Sequence, residues 1–192
     1  MQQNQPQSKS EEAVNALTHL FGSLTFLYLA ITCSTTNQTV YTSMFSAMFF
    51  SSFLYHIETP WKSLFRMVDQ FFIYIVIGVS GIIVPDLAPS FQKVLFLSIL
   101  GLSFIHHATR QFLEIPEGFS IPFLYLGNGI ICSYFLVVMS SQITLNLILG
   151  ISAYLGGFIF YVKDDKKYFH SIWHIMCTLG AYSIYTHLSI LS

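Results

Sequence analysis

His170-Ser171-Ile172-Trp173-His174 opens an apolar run that continues to about Leu191. A helix of that length can cross a bilayer. It also places the two histidines on one face, about one turn apart. The spacing suits a metal ion: zinc takes imidazole ligands, and a catalytic zinc site keeps one position open for water. An ionisable pair inside such a run reads as functional.

Working outward, six more apolar runs precede this one. The spans are expected at about 13–33, 39–57, 67–84, 91–108, 120–139, 143–162 and 169–191. Thr59-Pro60, Pro85 with Pro89, Pro116-Glu117-Gly118, Ser140-Ser141-Gln142 and the charged stretch from Lys163 to Lys167 separate successive runs. Runs of this length fit helices, not a barrel. Of the 192 residues, 54% are hydrophobic and only 9% are charged. A water-soluble domain carries about 25% charged residues, so this chain cannot cover a water-facing surface. The sequence therefore predicts an all-α, polytopic bundle of seven transmembrane helices, an integral, multi-pass membrane protein of unspecified compartment. Residues 1–12 are expected as a short disordered cytosolic tail and 13–192 as the seven-helix transmembrane domain. That tail lacks the basic flank of a signal peptide, so the first run is expected to be retained as a span.

Basic residues set the orientation. Lys9, Lys62, Arg66, Arg110, Lys163, Lys166 and Lys167 fall on the side of the N-terminus, and Lys93 alone on the other. The N-terminus is expected in the cytosol and the C-terminus outside. With a net charge of −1, nothing favours nucleic acid. Cys33, Cys132 and Cys177 have no metal spacing. Gly150, Ala153, Gly156 and Gly157 in the sixth run, and Gly78 and Gly81 in the third, suit close helix packing.

Alternating span direction then brings distant residues to one depth. His56 ends the second span on the cytosolic side, with Ser52 one turn deeper. Asp69 lies in the first turns of the third span, and His170 and His174 open the seventh. His56, His170 and His174 supply three imidazoles for a divalent ion, Zn2+ by ligand type. Asp69 is then the candidate general base or an orienter of a ligand histidine, and Ser52 a hydrogen-bond partner of water, Asp69 or substrate. His106 and His107 are rivals of which at most one can join, and His19 could face the same cavity. His187, at the other end, reads as interfacial or structural. Glu114 and Glu117 read as water-facing.

Ser52 with His56, Asp69, and His170 with His174 form an ordered set. It resembles the superfamily of haemolysin III-like proteins, progestin and adiponectin receptors, alkaline ceramidases and the myomaker group. Their signature is Ser-x-x-x-His closing the second span, Asp early in the third, and His-x-x-x-His opening the seventh. Val68-Asp69-Gln70-Phe71-Phe72-Ile73-Tyr74 with Gly78 is similar to a haemolysin III third span, and the resemblance covers roughly residues 40–190. It implies a seven-helix bundle holding zinc near the cytosolic side. It also implies a zinc-dependent membrane hydrolase acting on a lipid amide or ester, with ceramidase-like chemistry. Glu11 and Glu12 do not reproduce the acidic calcium ligands of the ceramidase branch. The alternative is a non-catalytic membrane receptor or structural membrane protein with a structural zinc site. A membrane lipid is the expected substrate or ligand. A channel fits poorly, because the polar residues gather at one end instead of tracing a path across.

Overall fold

The computed structural model describes residues 7–57, 59–115 and 120–191. Among these the chain forms seven helices: α1 (Lys9–Thr32), α2 (Thr36–His56), α3 (Lys62–Ile83), α4 (Ser90–Phe112), α5 (Ser120–Val138), α6 (Leu145–Val162) and α7 (Phe169–Leu191). No strand occurs among the described residues. Residues 1–6 of the expected tail, and the separator Pro116-Glu117-Gly118, lie outside them.

Local chemistry sets the helix starts. Ser8 caps α1 in a reciprocal box: its hydroxyl accepts from Glu11 N, and its own N–H donates to Glu11 Oε2 at 3.1 Å. The first helix therefore begins at Lys9, so Glu11 and Glu12 sit in its first turn instead of in a tail. Thr35 and Thr144 cap α2 and α6 with their hydroxyls alone, each accepting the N–H three residues on. Pro89 precedes α4.

Cross-helix pairs give the directions. Ser23 and Ser46 exchange hydroxyl-to-carbonyl bonds at 3.1 and 3.0 Å, and further along the same seam the rings of His19 and His56 stack at 5.6 Å. Hence α1 and α2 are antiparallel. So are α6 and α7, since Gly157 faces Met176 and Trp173 while Gly150 faces Gly180 and Ile184. A Cβ on Gly150 would lie 2.6 Å from the Ile184 side chain, and one on Gly157 2.8 Å from Met176, so the small residues permit this approach. Gly156 borders open space and takes no part in it.

Helices α2 and α7 touch each other, and both touch α1; α4 lies at the margin against α3 and α5. The central core joins Phe26, Phe45, Phe49, Leu147 and Ile184, all at most 2% exposed. On α4, Phe91, Leu95, Leu102 and Ile105 are all at least half exposed, a surface suited to lipid.

Among the described residues, five helices are long and apolar enough to cross a membrane: α1, α3, α4, α5 and α6. Of the seven segments expected from the sequence, α2 and α7 fall short of that measure. At 21 and 23 residues, α2 and α7 are as long as the others. Their shortfall is in apolarity. Helix α2 buries Gln38, Thr42, Ser46, Ser51, Ser52 and His56, and α7 buries Ser171, His174 and His187. These helices turn polar groups toward the bundle, where Ser46, Ser52 and Ser171 find hydrogen-bond partners on neighbouring helices. Multiple long apolar helices make this a multi-pass membrane protein.

Candidate metal centre

Antiparallel packing brings the C-terminal end of α2 and the N-terminal ends of α1, α3 and α7 together. His19 lies three turns into α1, His56 ends α2, and His174 lies in the second turn of α7. All three are at most 4% exposed. Each offers one ring nitrogen to a set whose members lie within 4.8 Å of one another. Zinc sits about 2.0–2.1 Å from an imidazole nitrogen, which puts tetrahedral ligand atoms roughly 3.3 Å apart. Small ring rotations bridge that difference.

Four imidazoles meet here. The His19 and His174 ring centroids are 3.7 Å apart, and those of His56 and His174 are 5.1 Å apart. His170 stands beside them, its ring 4.4 Å from that of His174 and 5.3 Å from that of His56. The expected ligands were His56, His170 and His174. The tight nitrogen set instead holds His56 and His174 with His19, and His170 lies on its border.

Three buried nitrogens in this group have no hydrogen-bond partner: Nδ1 and Nε2 of His19, and Nδ1 of His170. Buried polar atoms are rarely left so, because each carries a desolvation penalty. A divalent ion satisfies such lone pairs. The all-imidazole donor set fits zinc and not a hard oxygen-seeking ion.

Ser52 Oγ donates to Asp69 Oδ1, linking α2 to α3. Ser52 and Asp69 line one cavity of about 410 Å³ together with His19, His170 and His174. Away from the histidines its walls are mostly apolar, with Phe45, Ile77, Leu136 and Ile184 among them, though Arg66, Gln70 and Asp164 also reach it. The volume falls in the range of small-molecule sites, about 300–1,000 Å³.

The other candidates lie apart. His106 is exposed. His107 is fully buried but faces Tyr125 Oη at 3.3 Å and Gln111 Nε2 at 3.2 Å, in a separate network between α4, α3 and α5. His187 pairs with the Thr144 hydroxyl at 3.0 Å, beside the α6 cap at the far end. Glu114 is exposed, and Glu117 lies outside the described residues. In the loop before α7, Asp164 is half buried. Burial pushes its carboxyl up, and the neighbouring Asp165 adds to the effect.

Sequence reasoning passed over Glu12. Its Oε2 lies 2.7 Å from His56 Nδ1, and its Oε1 accepts from Lys62 Nζ at 2.5 Å. A signal was present. Glu12, Asn15 and His19 follow a three-and-four spacing, which a helix turns into one face.

A family model described as haemolysin-III related matches residues 7–185. No curated protein and no solved structure matches the chain.

Proposed function

The chain belongs to the haemolysin-III-related family, and from that premise we propose that it is a zinc-dependent membrane hydrolase of a lipid amide or ester. In this reading all seven helices span the bilayer, with the N-terminus and the histidine cluster on the cytosolic side. Its chief support is one juxtaposition. A buried histidine cluster and a Ser52–Asp69 pair border the same cavity, whose remaining walls are mostly apolar.

His56 and His174, with His19 or His170, would hold the ion. Bound there, zinc supplies Lewis acidity toward a carbonyl oxygen and toward water. The chain's own groups do the rest. The apolar walls accept an acyl chain and exclude bulk water from the reacting carbonyl. Asp69 Oδ2 takes a proton as water oxygen attacks the carbonyl carbon. The same carboxyl returns it to the leaving nitrogen or oxygen as the C–N or C–O bond breaks. Ser52 Oγ, donating to Oδ1, keeps the second oxygen aimed at the reaction.

The second reading is a receptor or structural protein with zinc as a staple. One observation favours it: His19 adds an imidazole that can close the site.

The two readings separate on purified protein. The hydrolase reading expects about one zinc per chain, lost in His174→Ala, and release of fatty acid from an amide or ester lipid. It also expects Asp69→Asn to keep its zinc while turnover falls by roughly 10²–10⁴, the usual contribution of a general base. Zinc in both proteins without turnover in either leaves the staple. Turnover unaffected in Asp69→Asn removes the base assigned here.

A further inference from the structure

We propose that α1 fixes which ring nitrogen His56 and His174 present to the ion, Glu12 acting on His56 and Thr18 on His174. This rests on the metal-binding reading above.

The argument is donor bookkeeping. An ionised carboxylate only accepts. Glu12 Oε2 lies 2.7 Å from His56 Nδ1, so that nitrogen carries the proton and Nε2 keeps its lone pair. Glu12 is itself held: Lys62 Nζ donates to Oε1 at 2.5 Å and lies 5.3 Å from the Tyr55 ring centre.

Thr18 gives a second and independent case. A hydroxyl has one proton to donate. Thr18 spends it on the Asn15 carbonyl, at 2.9 Å. Toward His174 Nδ1, at 3.4 Å, its oxygen is therefore left to accept. His174 must carry its proton on Nδ1 and likewise present Nε2. One helix thus sets the same tautomer in two rings from two other helices.

Neighbouring contacts hold α1 in register for this task. Glu11 Oε1 accepts from Tyr168 N at 3.0 Å, two residues before His170. Tyr168 has φ 63°, a left-handed conformation unfavourable for a non-glycine residue, and this bond helps to hold it. Ser171 Oγ donates to Asn15 Oδ1 at 2.5 Å. Glu11, Asn15 and Thr18 thus tie α1 to the start of α7, while Glu12 ties it to the end of α2.

The roles assigned to Glu12 and Thr18 are positioning roles, and two measurements on detergent-purified full-length protein test them. The first is zinc affinity by competition with a chelating dye, for wild type, Glu12→Gln, Thr18→Val and Thr18→Ser. Partners that orient a ligand histidine carry about 10- to 100-fold in affinity. Glu12→Gln and Thr18→Val should weaken binding by that factor, and Thr18→Ser, which keeps the oxygen, should restore it. The second is nitrogen NMR of metal-free protein labelled in its histidine rings, with His56→Ala and His174→Ala to assign signals. Both rings should be Nδ1-protonated in wild type, His56 losing that preference in Glu12→Gln and His174 in Thr18→Val. This readout needs no metal and is not moved by a merely structural contact. Wild-type rings protonated at Nε2, or zinc affinity unchanged in both Glu12→Gln and Thr18→Val, would overturn the proposal while leaving the metal reading intact. A wild-type protein with the expected tautomers but no zinc uptake would overturn the metal reading and this one with it.

Discussion

His19 and His170 are the two residues on which the chemistry turns. Both neighbour His174, and both have a buried nitrogen without a partner. They differ in reach. A nitrogen of His19 lies within 4.8 Å of nitrogens from both His56 and His174, whereas His170 is outside that set. Removing a direct ligand should cost more than the roughly 100-fold ceiling seen for groups that only orient one. His19→Ala is therefore expected to lower zinc affinity by more than about 100-fold, and His170→Ala by less. Dye competition on the two variants measures this. The reverse ranking would restore the expected set of His56, His170 and His174. Its His170 and His174 were legible because histidines four apart on one helix must share a face, and His56 because alternating span direction sets its depth. His19 was harder to place, since a single histidine does not reveal which way its helix is turned. Glu12 was hidden for another reason. Read as part of a polar tail, it had no helix face at all, and the Ser8 cap is what puts it on one.

At the scale of elements, helices were readable because each apolar run stops at proline, small polar residues or charge. The polar character of α2 and α7 was less readable. Both pass as spans by length, yet each buries serines and histidines in the bundle, α2 against α1 and α3 and α7 against α6 and α1. Glycines show the same limit. Gly150, Gly156 and Gly157 look alike in sequence, but only Gly150 and Gly157 lie under α7 side chains. Adding a side chain at Gly150 would set its Cβ 2.6 Å from Ile184 and 3.0 Å from the Gly180 carbonyl. The backbone contact cannot rotate away, so α6 and α7 must separate. Gly150→Leu is expected to destabilise the protein by about 1–3 kcal/mol, the usual range for overpacking. Gly156→Leu, with nothing within 4 Å of its Cβ, is expected to leave the melting temperature near that of wild type. Thermal unfolding in detergent compares the pair, and equal losses would argue against this α6–α7 seam.

For the whole molecule, the histidine cluster is a joint as well as a site. His19, His56 and His174 come from α1, α2 and α7, and Ser52 with Asp69 adds α3 to the same end. The contacts of His174 with His19 and His56 join residues more than 100 positions apart. An ion held by three helices binds the folded bundle and not the separated helices. Mass action then requires it to stabilise the fold, by about 2.7 kcal/mol when free zinc is 100 times its dissociation constant. Chain length sets the thermal reading: for proteins of 150–250 residues each kcal/mol moves the midpoint by about 2–4 °C. Chelation should therefore lower the melting temperature of wild type by roughly 5–10 °C, and restored zinc should recover it. His174→Ala should melt at the chelated temperature whether or not zinc is present, because its loss removes the imidazole nearest to both His19 and His170. Asp69→Asn should keep the full zinc-dependent shift, since the carboxylate contacts Ser52 and is outside the nitrogen set. A wild-type melting temperature indifferent to zinc would mean that the imidazoles meet without a shared ion, and the packing of α1, α2 and α7 would then have to satisfy those nitrogens in another way.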